Sequence, residues 1–188
     1  MSVTEPIQDE CDVVDEAIKG SSQAFSELFN TYYPAIHAYA YRLTLCPGKS
    51  ADVAQETFIQ AAKSLRSFRR QSSFKNWLYT IATHKSFDLH RQQLRRTQVA
   101  EQWGALQEQG QDAGDDRSAA SAAVRAALGQ LNEELRATVT LVYYEGLNHA
   151  EAARVLGCAE TTVSWRIYRA KQKLKKHLSL TAAPTTHD

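Results

Sequence analysis

The sequence lacks long apolar runs, paired cysteines and net charge, and each absence excludes a class of protein. Its apolar stretches are only a few residues long, far short of the roughly 20 that a membrane-spanning helix needs, so no membrane span is expected. The three cysteines, Cys11, Cys46 and Cys158, are odd in number and far apart. They supply neither a disulfide framework nor a CxxC zinc pair, and they suit a reducing compartment. Glu5, Asp9, Glu10 and Asp12 make the amino terminus acidic, the opposite of a signal peptide's basic start, so a cytoplasmic location is expected. No Ser/His/Asp set, glycine-rich phosphate loop or group of metal ligands stands out, and the six histidines are scattered. The expectation is a protein with no catalytic chemistry, cofactor or metal. What is present is ordinary globular material: 188 residues, 43% of them apolar, enough for one domain or two small ones and too apolar for wholesale disorder.

The formal net charge is +1, which seems to exclude a polyanion partner until the chain is divided. Residues 1–18 carry −6 and residues 19–62 balance. Residues 63–96 carry +8, residues 97–118 carry −4, residues 119–163 carry −2 and residues 164–188 carry +5. Two basic blocks are hidden by acidic flanks, and asymmetry of this kind points to nucleic acid.

Apolar residues recur at helical spacing over 22–45 (Phe25, Leu28, Phe29, Tyr32, Ile36, Leu43). Pro34 predicts a kink or break within that helix, and Cys46-Pro47-Gly48 a stop. A second helix is expected from about Ser50, as its cap, to Leu65, burying Val53, Phe58, Ala61, Ala62 and Leu65. Residues 67–74 read as a basic loop. A third helix over about 75–95 turns Trp77, Leu78, Ile81, Phe87 or Leu89, and Leu94 inward. Residues 97–118 turn Gln-, Gly- and Asp-rich and read as a flexible linker. Helical patterns resume over 119–138, with a break near Gly129, and continue to about Gly146. No strand alternation persists. The fold class is therefore all-α, two small helical domains joined by a flexible linker. The chain divides into an acidic segment (1–19), a first module (20–96), the linker (97–118), a second module (119–178) and a tail (179–188).

Residues 147–176 carry a helix-turn-helix pattern. Leu147 to Leu156 form a short amphipathic helix, Gly157 supplies the turn, and a second helix opens at Ala159-Glu160-Thr161-Thr162-Val163. Ala153, Leu156, Val163 and Ile167 pack the pair. Ser164, Trp165, Arg166, Tyr168, Arg169 and Lys171 then face outward, residue types that reach bases and phosphates from a helix in the major groove. Lys173, Lys175 and Lys176 continue the positive surface. In the first module, residues 66–96 interleave Arg and Lys with Phe68, Phe74, Trp77, Tyr79, His84 and Phe87. Cations there draw in a phosphate backbone, and exposed aromatics stack on unpaired bases; a core role is the alternative for the aromatics.

Two modules of these kinds in this order resemble the bacterial sigma factors of the extracytoplasmic-function group. Asp52-Val53-Ala54-Gln55-Glu56-Thr57-Phe58 is similar to the family's D-[LV]-[AV]-Q-E-[AT]-F signature, and Phe74-Lys75-Asn76-Trp77-Leu78-Tyr79-Thr80-Ile81-Ala82 to its F-x-x-W-L-x-x-I-A segment. Leu131 through Leu147, Glu151-Ala152-Ala153 and Thr162-Val163 resemble its fourth conserved region, and Arg169-Ala170-Lys171-Gln172-Lys173-Leu174 its closing R-A-[RK]-x-x-L. The resemblance implies a subunit that binds core RNA polymerase (beta and beta-prime subunits) and directs it to promoter DNA, with an anti-sigma factor as a candidate further partner. It makes Asp52, Gln55 and Glu56 the polymerase contacts, with Phe58 in the core. Arg69, Arg70, Ser72, Ser73, Lys75, His84, Asp88, Arg91, Arg95 and Arg96 become candidates for the −10 element. Thr161, Thr162, Ser164, Trp165, Arg166, Tyr168, Arg169 and Lys173 become candidates for the −35 element. Two positions depart from the family pattern: His84 stands where Asn is common, and Ser164-Trp165 where a basic residue and Ser are common. The competing readings are a stand-alone helix-turn-helix regulator and a single-strand- or RNA-binding module built on 66–96; neither needs the 52–58 signature.

Overall fold

The computed structural model describes residues 8–102 and 119–181. The described residues form eight α-helices: α1 (Gln8–Ile18), α2 (Ser22–Thr44), α3 (Pro47–Ser64), α4 (Phe74–Gln102), α5 (Ala119–Gly129), α6 (Glu133–Val139), α7 (His149–Leu156) and α8 (Glu160–Thr181). A 3₁₀ turn (Leu65–Ser67) follows α3, and a π-helical turn (Thr140–Tyr144) follows α6. Among the described residues there is no strand, and no helix is long and apolar enough to cross a membrane.

The first module packs α2, α3 and α4 around Ile36, Tyr39, Ala54, Ala61, Leu78, Tyr79 and Ala82, all fully buried. A buried side-chain hydrogen bond between α2 and α4 joins Tyr39 Oη and Thr83 Oγ1 at 2.7 Å. Burial pushes the Tyr39 phenol well above its ordinary range. Ser21 caps α2, its side chain accepting from the Ala24 amide at 3.2 Å.

Four local expectations are corrected. Pro34 does not break the pattern into two helices: α2 runs through it, and Pro34 and Asn30, whose carbonyl loses its donor, are both exposed. The helix is stopped by Leu45, which takes a left-handed conformation (φ 56°) and closes on the Tyr41 carbonyl. Pro47 then begins α3, because its fixed φ suits a first helical turn. Ser50 is consequently an interior, fully buried residue that donates to the Pro47 carbonyl, not a cap. Within the expected inner faces, Ala62 and Leu94 are exposed instead.

Two boundaries also move. Residues 8–18, read only as acidic, form α1, whose Val14 and Ala17 enter the core. At the other end α4 extends to Gln102, into the expected linker, of which 103–118 lie outside the described residues.

The second module follows the expected course. Asn148 caps α7 by accepting from the Glu151 amide, while the Glu151 carboxylate accepts from the Asn148 amide, each at 2.9 Å. Gly157 (φ 60°) makes the turn into α8 with a conformation that few other residues adopt. Ala153, Val163, Ile167 and Ala170 are buried between the helices. The second module rests against the first, α7 on α4 and α6 on α2.

Candidate polymerase and promoter surfaces

Asp52, Gln55 and Glu56 are all exposed on one side of α3, as a helical spacing of three and four dictates. The opposite side of the same turn is committed to the core through Val53, Ala54, Thr57 and Phe58. Asp52 and Glu56 line a groove between α3 and α4 with Lys85, Asp88, Leu89, Arg91, Gln92 and Arg95. Glu56 Oε2 lies 3.3 Å from Lys85 Nζ, with more than half of the glutamate side chain open to solvent. Lys85 is therefore part of this surface; its place there depends on how α4 crosses α3, which no local sequence signal encodes.

On α4, His84, Asp88, Arg91 and Arg95 are exposed at steps of four, three and four, which puts them in a single stripe. Arg91 pairs with Asp88 across one turn. The stripe borders the acidic ridge of α3, so the candidate polymerase and −10 residues share one groove. Arg96, also exposed, lies beside it. Lys75 falls about half a turn round the helix from His84 and holds its ammonium 5.5 Å from the Tyr79 ring centre, so the structure does not bring it to the stripe.

The loop before α4 presents Arg69 to solvent. Arg70 adopts φ 55° and turns back on α1, donating to the carboxylate of Asp15 and, at 3.4 Å, to the Cys11 carbonyl. The hydrogen bond to Asp15 raises the Arg70 pKa further. Ser73 accepts from the Asn76 amide at the start of α4, and Ser72 donates to the Ser73 carbonyl. Both serines thus shape the loop. The aromatic residues of this block settle mostly on the core alternative. Phe68, Phe74 and Trp77 stack on one another with ring centres 5.1–5.6 Å apart, and Tyr79 is buried.

In the second module, α8 exposes Thr161, Ser164, Trp165, Tyr168, Arg169 and Lys173. Trp165 and Tyr168 are 57% and 60% exposed, too open for core residues of their size. The Arg169 guanidinium lies 5.7 Å from the Trp165 ring centre, a cation–π contact that orients both groups on the outer face. Ser164 Oγ is 3.0 Å from His149 Nδ1 of α7. Thr162 is half-buried.

Arg166 is corrected. Its side chain is only 13% exposed, and its Nη2 lies 2.9 Å from Glu134 Oε2 on α6, with Nη1 at 3.8 Å from Cys158 Sγ. It ties α8 to α6 instead of standing on the outer face. One further exposed pair escaped the sequence reading, Tyr143 with Lys171 Nζ 5.7 Å from its ring centre. Among the described residues no group of three or more His, Cys, Asp or Glu is placed to hold a metal ion.

Comparison with known proteins matches the family described as Sigma-70 region 2 over residues 28–96 and that described as Sigma-70, region 4 over residues 121–174. The RNA polymerase sigma-H factor of Pseudomonas aeruginosa is 32% identical over 177 residues, covering 88% of this chain and 92% of that protein. The ECF RNA polymerase sigma-E factor of Escherichia coli K12 is 31% identical over 176 residues, covering 86% and 90%. The solved structure of CnrH in complex with the cytosolic domain of CnrY superposes with a TM-score of 0.68 at 28% identity, covering 92% of this chain and 97% of that one. That of the sigma factor RpoE with the anti-sigma factor NepR from Bartonella quintana gives 0.68 at 27% identity, covering 82% and 96%. Both modules and their order thus agree with these relatives along nearly the whole chain: it belongs to the sigma-70 family of RNA polymerase sigma factors, in the extracytoplasmic-function group, and directs polymerase to promoters.

Proposed function

We propose that the first module (20–96) docks on core RNA polymerase through Asp52, Gln55 and Glu56 and engages the −10 element through the loop after α3 and the His84–Asp88–Arg91–Arg95 stripe. The second module (119–178) reads the −35 element with α8, through Thr161, Ser164, Trp165, Tyr168, Arg169 and Lys173. The observation that carries the reading is the division of α3: one side is committed to the core, and the other is an exposed acidic ridge whose one ion pair among the described residues is the solvent-open pair of Glu56 with Lys85. A carboxylate ridge repels DNA phosphate and suits a protein partner. The stand-alone regulator has no use for it.

The protein supplies recognition and leaves bond making to the polymerase, in the cytoplasm where polymerase and promoter meet. Two of the solved relatives are held by an anti-sigma factor or a cytosolic protein domain, which supports an anti-sigma protein as a further partner of this chain.

The test is co-purification with core polymerase. Charge reversals Asp52→Lys and Glu56→Lys are expected to weaken binding at least tenfold while leaving helix content intact. Retention of wild-type binding by both variants would end the docking assignment.

A further inference from the structure

Ser164 is one of the two places where α8 departs from the family pattern, a hydroxyl where a basic side chain is common. It is exposed one turn into the helix, among the early residues of a recognition helix that meet base edges. Its Oγ lies 3.0 Å from His149 Nδ1 and 3.3 Å from the Glu160 carbonyl oxygen, one turn back on its own helix. His149 is the first residue of α7, and the reciprocal cap between Asn148 and Glu151 fixes that end of the helix. Ala153, Val163 and Ile167 hold α7 against α8. The imidazole is thus set beside Ser164 by two rigid elements.

A serine hydroxyl carries one proton and two lone pairs. The Glu160 carbonyl can only accept, so a bond to it takes the proton. His149 Nδ1 accepts in one tautomer and donates in the other. As an acceptor it takes the Ser164 proton itself. As a donor it fills one lone pair of Oγ and leaves the proton to Glu160. Either way the proton is spent inside the protein, and only lone pairs face outward. A serine without such neighbours rotates to donate or to accept. Phosphate oxygens, guanine O6 and N7, and thymine O4 all need a donor, whereas the amines at adenine N6 and cytosine N4 need an acceptor.

We infer that His149 is a positioning residue for the −35 reader. It commits the Ser164 proton, so that Ser164 accepts from the exocyclic amine of adenine or cytosine at a place where a basic side chain would donate to guanine. This rests on the reading of α8 as the −35 helix. Arg169 on the same face carries donors only and keeps the opposite preference.

The test is selection from duplex promoters randomised across the upstream element, by holoenzyme reconstituted from core polymerase and the full chain. The base read by Ser164 is the one whose preference Ser164→Ala flattens. Wild type should favour A or C over G or T there, on the contacted strand, by roughly 3- to 10-fold, the yield of one neutral hydrogen bond. His149→Ala should cut that ratio to roughly twofold or less at this base alone. His149→Asn places an amide where Nδ1 stood and should restore most of it. Adding His149→Ala to Ser164→Ala should change nothing further, because the two residues act as one unit. A wild-type preference for G or T at that base, no base flattened by Ser164→Ala, or a full wild-type ratio in His149→Ala would overturn the inference. So would a His149→Asn variant as flat as His149→Ala, or a loss spread equally over the upstream element, which marks a structural role. Arg169→Ala separates the two levels of failure. If it relaxes another upstream base, the −35 reading stands and the pair alone has failed; if it too changes nothing, the reading has failed and the inference with it.

Discussion

Arg166 and Arg169 sit less than one turn apart on α8 and carry the same charge, yet the structure gives them opposite tasks. Arg166 spans to Glu134, with 13% of its side chain exposed against 58% for the glutamate. Because Glu134 is well solvated, the ion pair is screened and contributes about 0.2–1 kcal/mol. The covered aliphatic stem adds a similar amount through packing. Arg166→Ala should therefore destabilise the protein by about 1–2 kcal/mol, lowering Tm by roughly 2–8 °C. Arg169 is exposed beside Trp165, and Arg169→Ala should weaken −35 binding by about 1–3 kcal/mol if it reads a base. If it neutralises a phosphate, the slope of log K against log salt falls by about 0.9. The assay is salt-dependent binding of reconstituted holoenzyme to a −35-containing duplex, beside thermal melts of each variant. An Arg166→Ala variant with wild-type Tm and a salt slope reduced by about one would refute the reasoning, since it would mean that Arg166 leaves Glu134 and meets DNA.

Three further outcomes follow from the same geometry. Asn148→Ala removes the α7 cap and its reciprocal bond with Glu151, and should cost about 1 kcal/mol in urea unfolding. Leu78→Ala, at a position with no exposure, should cost about 2–5 kcal/mol; a smaller loss would mean that the first module collapses around the gap. Burial of Tyr39, and burial of Tyr79 together with its hydrogen bond to Glu145, raise both phenol pKa values. The folded chain therefore holds these protons where the unfolded chain releases them, so stability is fully present below about pH 10 and is lost as pH rises above it. Tyr39→Phe should flatten that alkaline loss in urea titrations.

The second module was legible almost residue by residue, because its signals are local. Asn148, Glu151 and Gly157 determine the cap and turn by their own chemistry, and Ala153, Val163 and Ile167 mark the packed face by spacing alone. The acidic ridge of α3 was legible for the same reason. What escaped depends on contacts between elements. Among the acidic residues of 8–18, Val14 and Ala17 carry no local sign of burial, because it needs α2 beside them. Arg70 and Arg166 look identical to neighbouring arginines until Asp15 and Glu134 arrive from other helices. Pro47 beside Gly48 has the composition of a stop, yet proline serves as readily at the first turn of a helix as after its last. Glu145 carried no signal at all, since its partners Arg42 and Tyr79 are 103 and 66 residues away.

The central claim is promoter direction, and one measurement meets it squarely: transcription by core RNA polymerase from a random promoter library, with and without the protein. The account predicts starts that appear only when the protein is added and that share sequence at −10 and −35, with Trp165→Ala or Arg169→Ala relaxing the upstream element alone. Identical start sites with and without the protein, or protein-dependent starts with no shared upstream sequence, would contradict it.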